Sequence, residues 1–343
     1  MMKDYIKKHG NEMMLLGIVL VLFIFMSAIS PDRFFKWNNI QSMLFQMPEF
    51  GLLTLAMMVI IVTGGINLST VMTSALSSIL TAMVLSSSLT GNNVVLGILV
   101  GIVVCLVVAM ACGLLNGVVV AYIGVVPMLA TLGSMILFEG LSMGLTKGGA
   151  ISGLPAEFAF ISNGTLASIP GIGLIPGLRE IPFSIVIYAA AIILTYFLLE
   201  RSCWGTELYM TGCNPVATRF SGVDTKKTLM KAYLFSAFMS SLSAIVLLSR
   251  YNSAKVDYGS SYLMQSIAAV VLGGTSITGG SGTVAGTVFA IIIIQIISNG
   301  LNIFGVNRYI VDITTGVILI AVLALRHFSA LRKSKSVLKK QAS

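Results

Sequence analysis

The chain has 343 residues, of which 56% are hydrophobic and only 10% charged, with a formal net charge of +9 and a mean hydropathy of +0.97. Soluble domains carry roughly a quarter charged residues, yet the 89 residues between Glu49 and Glu139 contain no Asp, Glu, Lys or Arg, and 258–307 is a second such run. These stretches exclude a water-exposed surface; at about 20 apolar residues per crossing, the first alone has room for about four membrane helices.

Backbone groups in lipid must be satisfied within their own segment, which favours helices over open sheet. The pattern predicts an all-α integral membrane protein, one transmembrane domain over 1–343 with about ten helices. Spans are expected near 13–30, 49–63, 67–89, 94–121, 127–146, 183–199, 232–250, 263–278, 284–300 and 309–325, with Gly, Pro and polar clusters marking the breaks.

At the N-terminus, Lys3, Lys7 and Lys8 precede an apolar run from Met13 to Ile29. Pro31-Asp32-Arg33 follows without a small-x-small cleavage pattern, so an uncleaved first span is expected. Thr63-Gly64-Gly65-Ile66-Asn67-Leu68-Ser69 then interrupts the charge-free run with a polar kink. Irregular backbone at membrane depth is tolerated only when buried in protein or lining a wet cavity, and such breaks often mark substrate pathways. Gly64, Gly65, Asn67 and Ser69 are therefore the candidate pathway residues, tight packing being the alternative. Four Gly-xxx-Gly pairs (97/101, 113/117, 140/144, 282/286) place small residues one turn apart and predict close helix packing.

The segment from Lys147 to Pro182 is rich in Gly and Pro and is read as an outer connector, lid or docking surface. The loop over about 200–231 is basic, with Arg201, Arg219, Lys226, Lys227 and Lys231. Within it, Asn214-Pro215-Val216-Ala217-Thr218-Arg219-Phe220-Ser221-Gly222 has an N-cap residue, Pro at the first helical position and a terminating Gly. A two-turn helix with both ends specified is expected there, resting on a partner protein. Farther on, Gly273 to Gly282 is glycine-rich, but no Lys follows in the phosphate-loop pattern, so it is read as a break between spans.

The remaining chemistry-bearing residues are few. Cys105 and Cys112 share one apolar segment, and Cys203 and Cys213 have no His nearby to complete a zinc site. Both histidines, His9 and His327, lie in polar terminal segments. No catalytic residue, metal site or cofactor is expected. The N-terminus, the 200–231 loop and the tail at 326–343 hold 14 of the 21 Lys and Arg residues. The positive-inside rule then puts both termini and the central loop in the cytoplasm. Topology and anionic lipid account for the basic balance, and no nucleic-acid partner is needed.

Taken in order, these segments resemble the ribose-type family of bacterial ABC importer permeases, which serve pentoses, hexoses and a furanosyl quorum signal. The family's Gly-Gly-Ile-Asp-Leu-Ser-Val-Gly is similar to Gly64 through Val71. Its Gly-x-Leu-Asn-Gly and Pro-x-x-x-Thr-Leu-Gly are similar to 113–117 and 127–133. Gly212, Asn214, Ala217, Ser221 and Gly222 match its cytoplasmic motif, and 271–282 and 299–302 match two more. The resemblance implies an importer permease bundle with broken helices in the bacterial inner membrane. It would transport a monosaccharide or similar polyhydroxylated solute by alternating access.

The implied partners are a cytoplasmic ABC ATPase, a periplasmic or lipid-anchored solute-binding protein and a second permease, identical or paralogous. Asn214, Pro215, Ala217, Arg219, Phe220, Ser221 and Gly222 would form the coupling helix against the ATPase. Two departures stand out: Asn67 replaces the usual Asp, and Thr70-Val71 replaces Val-Gly. The competing class is a secondary transporter or facilitator, for which ionisable groups inside the membrane would be required; Glu139 and Asp312 are its candidates. A receptor or scaffold without transport would leave the capped helix unexplained.

Overall fold

The computed structural model describes residues 10–87, 93–165 and 182–305, with isolated positions from 307 to 320. In chain order the helices are α1 (Gly10–Ile29), α2 (Pro31–Phe34), α3 (Trp37–Val62), α4 (Thr70–Ser86), α5 (Val94–Gly117), α6 (Pro127–Thr146), α7 (Phe160–Asn163), α8 (Ser184–Tyr196), α9 (Cys203–Cys213), α10 (Pro215–Phe220), α11 (Thr225–Tyr251), α12 (Tyr262–Leu272) and α13 (Val284–Ile303). α5 and α8 each run on through a π-wound turn, Val118–Ile123 and Phe197–Arg201. Two short strands, β1 (Ile151–Ser152) and β2 (Ser253–Ala254), pair antiparallel at the end of the bundle remote from α10.

Seven of these stretches are long and apolar enough to cross a membrane: Glu12–Ile29, Trp37–Val62, Val94–Ile123, Pro127–Thr146, Ser184–Arg201, Thr225–Tyr251 and Val284–Ile303. The shorter apolar helices α4 and α12 complete the first nine expected spans. The tenth, 309–325, and the basic tail lie largely or wholly outside the described residues, as do Lys3, Lys7, Lys8, Asp312, both histidines and 166–181 of the 147–182 segment.

The central pair is α3 and α11. From Pro48 to Val62 every residue of α3 is buried, and α11 packs against α3, α4 and α5. α11 can be central because it is rich in small residues. Ser240 and Ser241 hydroxyls donate to their own helix's carbonyls (Ser236 at 2.9 Å, Phe238 at 2.6 Å), and Ser243 donates to the Glu49 carbonyl at 2.9 Å. A backbone without large side chains lets helices approach, the usual source of association energy in lipid. Gly113 and Gly117 of α5 use this contact: a Cβ at either would stand 2.5 Å from Ala237 or Met230 of α11. α1, α5 and α6 instead turn rows of Leu, Val and Ile outward.

Two expectations are corrected. The second span begins at Trp37, not 49, and runs through Pro48. Its first half reads as polar because Asn39 and Gln46 face α13, where Asn299 and Gln295 donate to them at 2.7 and 3.4 Å; these are interhelical bonds within a helix pair. The Gly-xxx-Gly expectation holds for 113/117 but not for 140/144, whose surroundings are open within 4 Å. Gly282 lies before α13 and so is not one helical turn from Gly286 on a shared helix. Gly286 does pack closely, with the Gly273 carbonyl over the position a Cβ would take.

Candidate functional site

The short helix of the 200–231 loop is α10, built as its sequence dictates. The Asn214 side-chain oxygen accepts from the Val216 and Ala217 amides, both at 3.0 Å, and Pro215 takes the first helical position. At the other end Gly222 adopts φ +87, and the Gly222 and Val223 amides donate to the Arg219 and Thr218 carbonyls at 3.1 and 3.4 Å. That pair of bonds is the Schellman closure, which needs a left-handed residue at the position Gly222 holds. Thr218 points inward, while Val216 and Phe220, one turn apart, point out together with Arg219. Phe220 is 90% exposed, the most exposed large apolar side chain among the described residues. An apolar pair beside a cation on a polar rim is the composition of a protein-docking face.

α3 and α12 end with the same closure. The Gly64 and Gly65 amides donate to Ile61 and Ile60 at 2.9 and 3.3 Å, and the Gly274 and Thr275 amides to Val271 and Val270 at 3.1 and 3.2 Å. Three chain breaks therefore stop in one manner, and the two that follow α3 and α12 converge with the end of α9. The Gly280 amide donates to the Val62 carbonyl at 2.9 Å. Gly212, at the end of α9, rests against that same carbonyl, and a Cβ there would overlap its oxygen and stand 2.6 Å from the Gly280 nitrogen. A Cβ on Gly279 would stand 2.5 Å from the Gly64 nitrogen. Backbone lies directly on backbone, with no side chain between to absorb a displacement.

Beside this junction, α9 and α10 border a cleft of about 620 Å³ lined by Tyr209, Cys213, Asn214, Ser221 and Gly282 among others. Tyr209 crosses its floor and donates to the Gly282 carbonyl at 2.9 Å. Burial, and then the neighbouring Glu200 carboxylate, push the Tyr209 phenol up to about 12, so it stays a donor at any physiological pH. Glu200 in turn accepts from the Val284 amide at 3.0 Å and caps α13 together with Thr283.

From the junction, a chain of buried polar groups leads inward. The Asn67 side-chain oxygen accepts from the Ser69 hydroxyl at 2.8 Å and the Ser69 amide at 3.2 Å, and its nitrogen donates to Ser236 of α11 at 3.3 Å. Asn116 of α5 donates to Ser69 at 2.8 Å, and Ser134 of α6 donates to Asn116 at 2.6 Å. Thr131 of α6 bridges the break, accepting from the Leu68 amide at 3.1 Å and donating to the Ile66 carbonyl at 3.0 Å. All five polar side chains besides Ser236 (Asn67, Ser69, Asn116, Thr131, Ser134) are buried, as Ser236 is. The structure thus brings Asn67 and Ser69 together inside a bonded node that ties the break to α5, α6 and α11. It places Gly64 and Gly65 a few residues away at the junction, and the exposed face of α10 beyond them.

The carboxylate that sequence reasoning missed is Glu49. It is wholly buried, paired with Arg250 of α11 at 2.5 Å and bonded by the Tyr262 hydroxyl of α12. In sequence it only marks the edge of an apolar run; its cation lies 201 residues away. Glu139, by contrast, is half-buried on α6.

Comparison with known proteins agrees with this architecture. Residues 39–323 match the family described as the permease component of the branched-chain amino acid transport system. Similar proteins include the autoinducer 2 import system permease protein LsrD of Yersinia enterocolitica, 31% identical over 332 residues, and that of Yersinia pestis, 32% identical over the same length. LsrD of Yersinia pseudotuberculosis is 31% identical. Each alignment covers 94% of this chain and 93% of the relative. No solved structure matches. A multi-pass helical bundle, two Gly-terminated breaks meeting at the end of the helix that leads into α10, and a match over nearly the whole chain lead to one assignment: the chain belongs to this family of transport-system permease components and is the membrane-spanning subunit of an ABC importer.

Proposed function

We propose that the chain carries a small polyhydroxylated solute inward across the bacterial inner membrane, with both termini and α10 in the cytoplasm and ATP hydrolysed on a separate subunit. α10 seats in the ATPase through Val216, Arg219 and Phe220, a solute-binding protein delivers cargo from outside, and a second permease completes the pathway. The relatives named above import autoinducer 2, and the sequence motifs resemble permeases for pentoses and hexoses. A compact solute dense in hydroxyls is common to both.

The observation that carries this reading is the Val62 carbonyl, held between the Gly280 amide at 2.9 Å and the α-carbon of Gly212. α9 leads directly into α10, so a push on the exposed helix arrives at that carbonyl without side-chain slack. Val62 is the last residue of α3 and the break follows it at once. Motion there reorients Asn67 and Ser69 relative to α5, α6 and α11, whose mutual tilt sets which side of the pathway is open. Asn67 keeps a carbonyl and two donors without a charge. It can therefore exchange its bonds to Ser69 and Ser236 for bonds to a passing hydroxyl at little cost.

The test is reconstitution of the full chain with its ATPase and binding protein in liposomes. ATP hydrolysis should rise when the binding protein is loaded with a furanosyl or pyranosyl solute, and uptake should require ATP. Uptake that follows a proton or sodium gradient without ATP would contradict the assignment.

A further inference from the structure

α9 has a second face. At 100° per residue, Trp204 projects from the side opposite Tyr209, Met210 and Cys213, away from the cleft beside α10. There it walls a separate groove of about 300 Å³ lined by Leu198, Trp204, Lys231 and Phe235. Leu198 lies in the π-wound turn that ends α8, and Lys231 and Phe235 lie one turn apart on α11. The groove is thus a gap between three helices, closed at its back by the tilted Trp204–Phe235 ring pair at 6.0 Å.

Its chemistry is lopsided. The Trp204 indole N–H is already donated to the Thr228 carbonyl at 3.3 Å, so the ring offers only its apolar surface. Leu198 and Phe235 offer nothing polar. Lys231 is exposed and forms no ion pair among the described residues; the nearby Glu207 carboxylate accepts from Thr228, and the Lys227 ammonium pairs with Asp224 at 3.1 Å. A ligand that fits must be apolar along most of its length and anionic at one end. Lys231 sits in the second turn of a membrane-crossing helix and Trp204 on the short helix beside it, the level at which Lys ammoniums and aromatic rings meet lipid headgroups.

We propose that this groove binds an anionic phospholipid, one acyl chain lying against Leu198, Trp204 and Phe235 and the phosphate on the Lys231 ammonium. The site is independent of the solute carried and of the ATPase. It occupies the flank of the helix that leads into α10, so a bound lipid would brace α9 from the side opposite the cleft.

The chain supplies its own reporter, because Trp37 and Trp204 are its two tryptophans and Trp37 lies at the far end of α3. In a Trp37→Phe chain reconstituted in bilayers, Trp204 emission is measured as the lipid is replaced by phosphatidylglycerol or phosphatidylcholine brominated in the upper acyl chain. Phosphatidylglycerol should quench at about one-fifth the mole fraction that phosphatidylcholine requires, the preference expected of a single cation at headgroup level. Lys231→Gln should abolish the difference, and Lys227→Gln should keep it. Equal quenching by the two lipids in the Trp37→Phe chain would mean ordinary boundary lipid and would overturn the proposal, as would an unchanged preference in Lys231→Gln.

Discussion

Replacing Arg250 by Met removes the cation paired with a carboxylate that has no access to solvent: Glu49 is 0% exposed and its partner Arg250 is 21% exposed. Breaking a buried pair from one side typically costs about 3–5 kcal/mol, because the remaining charge is stranded. Tyr262 still donates to Glu49, which argues for the lower end, about 3 kcal/mol. Glu49→Gln strands less: the amide keeps an acceptor for Tyr262, and Arg250 can turn its guanidinium toward water, so about 1–2 kcal/mol is expected. In the double variant no charge is left to strand, and the loss should return to about that of Glu49→Gln alone. The pair should therefore show a coupling of about 2 kcal/mol or more, roughly thirty-fold in the folding equilibrium. Reversible unfolding in mixed micelles, followed by circular dichroism across the four proteins, measures it. Losses that simply add to within about 0.5 kcal/mol would refute the account of Glu49 as a buried ion locked by α11 and α12.

Cys203 and Cys213 are exposed whereas Cys105 and Cys112 are buried. An impermeant maleimide should label the first two only from the cytoplasmic side; labelling from outside would invert the proposed orientation. Asn67→Leu takes the acceptor from Ser69 and the donor from Ser236, a cost of about 1–3 kcal/mol, and should impair uptake; normal uptake would remove Asn67 from the pathway. Gly222→Val forces a β-branched residue to φ +87, which sterics disfavour, so α10 should end wrongly and uptake should stop while the protein still inserts. Wild-type uptake by this variant would mean that α10 is not the coupling element.

What could be read from the sequence was whatever is encoded locally. α10 was legible to the residue because its cap, its first-turn proline and its closing glycine are all contiguous. α6 begins at Pro127 for the same reason. The Glu49–Arg250–Tyr262 cluster and the Asn67 node were not legible, because both are made by tertiary contact. Asn116, Ser134 and Ser236 lie on three different helices, and nothing in their spacing says that they converge on one break. The first half of α3 fell outside the expected span for a related reason: the partners of its Asn39 and Gln46, Asn299 and Gln295, lie some 250 residues away. The junction was half legible. Each glycine-rich break was visible, but that Gly212 and Gly280 meet at the Val62 carbonyl, with Gly279 against Gly64, follows only from how α3, α9 and α12 are packed.

That meeting point is the central claim, and Gly212→Ala tests it most directly. The added methyl would stand 2.6 Å from the Gly280 nitrogen and overlap the Val62 carbonyl, so it must part the three segments while leaving the docking face of α10 untouched. In liposomes containing the ATPase and binding protein, the variant should co-purify with the ATPase and hydrolyse ATP, yet solute taken up per ATP should fall at least about ten-fold, the loss expected if about 1.4 kcal/mol of coupling is forfeited. An assembled complex in which Gly212→Ala leaves uptake per ATP unchanged would contradict transmission through this contact.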